Sequence, residues 1–483
     1  MRIRPAAQSG RMSEHTVRDP FVPVVRCAAD LLAVVPHTLG YWPAESLVLF
    51  AAGRTTAGAC VRVDLPRRPV DARFAATFVE ELAELVGHDA VSDRVFAIVY
   101  TGGASDGGAS GDGSGGGSSG GPDGVAEVLA LVDEAAARAD RTVAARWVVA
   151  GDRWWPAGDP AEVHDVAAVL DSAVNAALIA AGSSWASGPR QAMDHEYGAL
   201  PGGTDRRVAA AAARWVRTGG GWHHLERVAD TLAVWRAVLD RVVAAADDWQ
   251  VPLLALDDDL LGFLAAGLAE PVLADLLLAD TATAADDGGG VLAAAAMWAE
   301  LCDETLEDGP GPGGDPGELF GPSLRPLPPE APPVPQLPWV PPGAGRPGGA
   351  PAPAPRSAPE PDAVELVRLT RVLAGEWEHA PDWHRLDALY RVLLGLTWLL
   401  EPVPGARRGT GPDGAEHAAA LAGVLVELAQ LNRFRARGSH TAHFVRRATS
   451  LVPGHAPALR VLRLADARPV PLWARERSTA WYG

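Results

Sequence analysis

The chain has 483 residues, 48% of them hydrophobic, which is enough for two to three domains with cores of their own. Its 60 acidic against 42 basic side chains give a net charge of -18, which argues against general affinity for nucleic acid. Every basic side chain is arginine. The absence of lysine excludes a Walker A loop, a Schiff-base enzyme and a kinase-type strand lysine.

Residues 1–25 read as a disordered leader without the apolar core of a signal peptide. Residues 27–35 form one short helix, ended by a proline-bearing turn, PHTLGYWPAES, in which Gly40 supplies an unusual backbone angle and Pro43 rigidity. Two β-rich runs follow, 47–51 and 59–65, joined by a polar hairpin connection. Phe74, Phe78, Leu82 and Leu85 set a helical period over 70–86. Residues 95–100 and 143–149 are compact apolar strands flanking a helix over 125–139. This order predicts right-handed crossovers and an α/β domain over 26–158, built on a largely parallel mixed sheet with one antiparallel neighbour.

Between the third strand and its helix lies an insertion, 102–124, with 12 glycines in 23 residues. A phosphate cradle needs a few glycines at fixed offsets, so this composition reads as disordered coil. From 159 to 308 the pattern is helical, most clearly over 222–248, where Leu225, Val228, Leu232, Trp235, Leu239 and Val242 form one apolar stripe. Residues 253–279 and 290–306 continue it. Residues 309–361 hold 19 prolines in 53 positions and read as a disordered linker, with PxxP spacings such as Pro335 to Pro338. A C-terminal helical unit, 362–483, follows, with helices expected over 364–377, 383–400, 416–434, 440–451 and 456–464. The chain as a whole is α-rich.

The stretch AADLLAVVPHTLGYWPAESLVLF (28–50) and the RVDLP that follows at 62–66 resemble the uncharacterised family called domain of unknown function 4192. The matching positions are Leu39, Gly40, Tyr41, Pro43, Glu45 and Ser46, then Arg62, Asp64, Leu65 and Pro66. GDRWW, at 151–155, stands where relatives carry a D-x-R-aromatic segment. Relatives often place cysteines just after it, and here PAGDP follows instead. The resemblance implies a fold neighbourhood and no activity.

Ligands of parallel α/β sheets sit beyond the carboxyl ends of strands. On this reading Arg62, Asp64, Thr101, Asp152 and Arg153 converge on one rim as candidate ligand-binding residues. The competing reading is structural: Asp64 ends its strand and pairs with Arg62. No catalytic set is expected, because Ser46 lacks both a G-x-S-x-G setting and a nearby histidine. No metal or cofactor is expected either, since His440 and His443, three apart, lack a carboxylate partner, and the adjacent His223 and His224 add none. From residue 403 onward 12 arginines face 5 acids, a local +7 that suits self-contact with the acidic body. Leu428, Ala448 and Pro453 have spacings of a tetratricopeptide-like half-repeat.

Three cysteines, Cys27, Cys60 and Cys302, without CxxC spacing fit a reducing compartment, and no apolar run approaches membrane-spanning length. The expectation is a cytoplasmic adaptor that binds a protein partner through its C-terminal helices or Pro-rich linker. The alternative is a small-molecule-binding protein or enzyme using the strand-end rim.

Overall fold

The computed structural model describes residues 24–53, 57–66, 71–87, 92–102, 122–188, 191–192, 206–218, 224–283, 291–295, 297–298, 333–335, 337–339, 362–401, 412–468, 470–475 and 479–481. The leader to residue 23, most of the glycine-rich insertion and most of the proline-rich segment lie outside them. The chain divides into two compact units, residues 1–198 with 482–483, and residues 199–481.

The first unit is built on a six-stranded sheet ordered β2-β1-β3-β4-β5-β6. Its strands are β1 (Ser46–Ala52), β2 (Ala57–Asp64), β3 (Arg94–Thr101), β4 (Thr142–Ala150), β5 (Arg153–Pro156) and β6 (His164–Asp165). The sheet is mixed, but it is largely antiparallel where a largely parallel one was expected. Only β3 and β4 run parallel, while β1–β2, β1–β3, β4–β5 and β5–β6 are antiparallel. The physical reason is the place of β1. Helix α2 (Ala72–Gly87) carries the chain from β2 over to β3 in the parallel sense a crossover requires, but β1 lies between them and opposes both.

Seven residues of β1 are all buried, as befits a strand covered on both faces. Leu47 and Leu49 face α2 and α3 (Pro122–Arg138), together with Val79, Leu82, Val99 and Val132. Val48 and Phe50 face the opposite layer, made by α1 (Ala28–Leu39), α4 (Ala167–Leu170) and α5 (Ala173–Ala180). Val169, Val174 and Leu178 belong to that core. The first unit therefore continues past residue 158, where the sequence suggested a boundary, because α1 needs α4 and α5 to cover it.

Helix α1 also runs four residues beyond the expected end. Pro36 lies inside it, and the last turn is held by the Thr38 hydroxyl donating to the Val34 carbonyl at 3.0 Å. Gly40, at φ 80°, then closes the helix by donating its N–H to the Pro36 carbonyl at 2.8 Å.

The second unit is helical: α6 (Arg206–Arg217), α7 (Leu225–Ala245), α8 (Gln250–Leu254), α9 (Asp258–Gly267), α10 (Pro271–Ala282), α11 (Ala363–Ala374), α12 (Trp383–Leu400), α13 (Pro412–Phe434), α14 (Gly438–Leu451), α15 (Ala456–Ala467) and α16 (Leu472–Arg475). Helices from before and after the proline-rich segment pack into this one unit, with α13 lying against α6, α9 and α12. The helical stretch read over 253–279 divides into the end of α8 and the short helices α9 and α10. Asp257 caps α9 by accepting the Leu260 N–H at 2.7 Å, and Pro271 opens α10. Among the described residues no single helix is long and apolar enough to cross a membrane; α9 and α10 pass that test only together, and they meet at 97°.

Candidate functional site

The register places the five rim residues at one end of the sheet without gathering them. Asp64 pairs with Ser46, Ser46 with Tyr100, and Tyr100 with Val149. Three strand spacings therefore separate β2 from β4, roughly 14 Å. Arg62 and Asp64 form an ion pair at 2.6 Å, and Arg62 also donates to the Ala44 carbonyl at 3.3 Å. Thr101 is buried beside Ala150. Asp152 and Arg153 stand in solvent at the β4–β5 turn, with side chains 87% and 68% exposed and 4.0 Å apart.

The corner between α1 and β1 is more highly organised. Glu45 takes a left-handed φ of 44°. Its carbonyl accepts the Leu65 N–H at 3.1 Å, and its carboxylate accepts the Gly102 N–H at 2.6 Å, so it ties the ends of β2 and β3 together. The same corner is zipped to the loop after α5. Trp42 donates its N–H to the Ala186 carbonyl at 2.8 Å, and Ala186 donates to the Gly40 carbonyl at 2.9 Å. Trp42 packs edge-on to Tyr100 and tilted against Trp185, with ring centroids 6.1 and 5.5 Å away. Both tryptophans remain half-buried.

His37, in the last turn of α1, is held at both ring nitrogens. Nδ1 lies 2.9 Å from Ser183 Oγ, and Nε2 lies 2.8 Å from Asn175 Oδ1. The Asn175 amide nitrogen donates to the Leu170 carbonyl at 2.6 Å, which turns its oxygen toward the imidazole. Nε2 is then the ring donor, and Nδ1 is left to accept from the serine hydroxyl. Burial lowers the His37 pKa, the bond to Asn175 opposing it, so the ring is neutral at pH 7. Sequence reasoning missed this group. Its partners lie 138 and 146 positions downstream, and nothing local marks a histidine at the end of a core helix.

Other candidates are committed to structure. Burial pushes the Cys60 thiol up to about 12 and the Tyr100 phenol above its ordinary value, so neither supplies an anion at neutral pH. In the helical unit Asp275 is buried and bonded by Arg460 at 2.6 Å and by the Trp298 indole at 3.1 Å. Arg435, Arg447 and Arg468 of the arginine-rich end pair with Asp387, Glu401 and Glu376. Among the described residues no group of three or more His, Cys, Asp or Glu side chains is placed to hold a metal.

A family model described as "Domain of unknown function (DUF4192)" matches residues 29–307, well beyond the motifs at 28–66. No curated protein and no solved structure matches the chain.

Proposed function

Since the chain belongs to the DUF4192 family, whose description names no activity, we propose a function from geometry: the first unit binds a small molecule with an apolar or aromatic part beside a polar one. The contact region in this proposal is the α1–β1 corner, with Trp42 and Trp185 as the apolar wall and His37 with Ser183 as the polar end. The single observation that carries it is the half-buried Trp42–Trp185 pair, two large rings left partly open on a backbone fixed by two hydrogen bonds. Small-molecule sites combine this kind of apolar wall with a few fixed polar groups. Arg62 and Asp64 support the corner from β2, while Asp152 and Arg153, exposed at the β4–β5 turn, stand outside the contact region.

A thermal-shift screen of small aromatic acids, amides and esters tests the proposal. Binding to the native state raises the melting temperature with ligand concentration. The expected result is stabilisation by at least one class, lost in Trp185→Ala and kept in Asp152→Ala. Stabilisation unaffected by Trp185→Ala, or none at all, overturns it.

A second reading, protein docking through the helical unit, is favoured by α11, whose Val364 and Val367 are 74% and 57% exposed on one face just after the proline-rich segment. A partner that survives Val364→Asp with Val367→Asp counts against that reading. The proposal includes a cytoplasmic location, supported by free Cys27 and Cys60. Nucleic acid is left out of it, because Arg435, Arg447, Arg460 and Arg468 are engaged with the protein's own carboxylates.

A further inference from the structure

We propose that Ser183, His37 and Asn175 form a nucleophilic relay, and that the first unit hydrolyses carboxylic esters with an apolar acyl or aromatic alcohol group. The inference rests on the binding proposal above and adds chemistry to it.

Nucleophilic serine chemistry needs a hydroxyl within hydrogen-bond reach of a base whose other side is oriented by a third group. The Ser183 Oγ to His37 Nδ1 distance of 2.9 Å and the His37 Nε2 to Asn175 Oδ1 distance of 2.8 Å meet that requirement. The ring is turned relative to the serine proteases, where Nε2 faces the serine, but either nitrogen accepts a proton once the other is a donor. Asn175 is buried, whereas His37 and Ser183 are half-buried, so the relay is anchored at one end and reachable at the other. Desolvation keeps His37 neutral, the state in which it can take a proton.

The backbone around the serine is also fixed. Ser183 donates its N–H to the Leu178 carbonyl at 2.9 Å. The backbone N–H groups of Ser184 and Trp185 follow the serine directly in the chain, and the proposal assigns them to a developing oxyanion. The Trp185 ring, two positions on, offers the apolar surface against Trp42.

In the first step Ser183 Oγ attacks the ester carbonyl carbon. Its proton passes to His37 Nδ1 and then to the leaving alcohol oxygen as the C–O bond breaks. In the second step water attacks the acyl-serine, giving its proton through His37 to Ser183 Oγ and releasing the acid. One water is consumed per ester cleaved. Ser183 and His37 are the catalytic residues, and Asn175 positions the imidazole.

The full-length protein is treated with a fluorophosphonate probe and, separately, with p-nitrophenyl butyrate, and the adduct is located by peptide mass spectrometry. The expected result is one adduct, on Ser183, and p-nitrophenolate release that disappears in Ser183→Ala. His37→Gln lowers the labelling rate by about 100-fold or more. Asn175→Ala slows it less and moves the pH midpoint of labelling, a change that a merely structural residue would not produce. A circular-dichroism melt confirms that each variant is folded. A folded wild type without an adduct, or with one elsewhere, overturns the relay. If Trp185-dependent ligand stabilisation persists in that case, the binding proposal stands alone. If an adduct forms on Ser183 without such stabilisation, the relay stands and the reversible site falls.

Discussion

The Glu45 carboxylate accepts the Gly102 N–H at 2.6 Å, joining the entry to β1 with the exit from β3 across 57 positions of sequence. Glu45 does so from a left-handed φ of 44°, a conformation that costs a non-glycine residue about 1–3 kcal/mol unless its surroundings enforce it. The acidic position of the L-G-Y-W-P-A-E-S motif is thus a staple between strands, and the strain it carries is offset by the two backbone N–H groups it satisfies.

Glu45→Ala keeps the strain and removes the carboxylate. Its expected cost is about 1 kcal/mol, typical of one partly solvated hydrogen bond. Glu45→Gly removes both, so it is expected to melt above Glu45→Ala despite having the smaller side chain. Calorimetry of the two variants checks the order, and the reverse order would show that the left-handed conformation carries no strain.

Glu427, on α13, is wholly buried, and its Oε1 has no hydrogen-bond partner among the described residues. Burial first, and then the nearby Asp275, raise its carboxyl well above the usual range, with Arg460 opposing. A raised folded value means that its contribution to stability is full below the ordinary value of 4.5 and is lost as pH rises through the folded value. Glu427→Gln stays neutral throughout. Its melting temperature relative to wild type is therefore expected to rise from pH 5 toward alkaline pH, by a few degrees, and a flat difference would exclude the shift.

Arg433, on α13, is buried against the end of α11, donating to the carbonyls of Leu373 and Ala374 and, at 3.0 Å, to Gln430 Oε1. Burial, with Arg468 and Arg460 adding repulsion, lowers its pKa to about 10, so it remains charged at neutral pH. Arg433→Met is expected to cost about 2–4 kcal/mol by leaving buried carbonyls without donors. The hydrogen-bond partners are neutral, but salt screens the repulsion from Arg468 and Arg460 in the wild type alone, so urea titrations should give the same or a somewhat larger loss at high salt.

Gly423 lets α13 approach the end of α9. A Cβ there would overlap the Leu268 backbone carbonyl, which cannot swing aside as a flexible side chain would. Gly423→Ala is expected to destabilise the helical unit by about 1–3 kcal/mol. The melt of the first unit should not change, which chemical denaturation followed by separate probes of the two units can verify.

Much of the secondary structure was legible because periodicity records burial. Val228, Leu232, Trp235, Leu239 and Val242 are all buried along α7, as their spacing required, and Trp235 is wholly enclosed. The apolar run over 253–279 was harder to divide, because α9 and α10 are buried on nearly every side and show no stripe. Only Asp257 and Pro271 marked the breaks. The short strands β5 and β6, of 4 and 2 residues, were too brief for any period to reveal.

The sequence by itself determined most of the longer strands and helices, the α-rich composition, the exclusion of lysine chemistry and the corner motif around Gly40 and Glu45. These follow from local chemistry: where apolar side chains recur, which residue tolerates a left-handed turn, which amine is missing. Strand direction and the meeting of His37 with Asn175 and Ser183 were decided only in three dimensions. A strand buried on both faces looks the same whichever way its neighbours run. A hydrogen bond between residues 146 positions apart exists only because α5 packs on α1, and packing joins surfaces that the chain order leaves far apart.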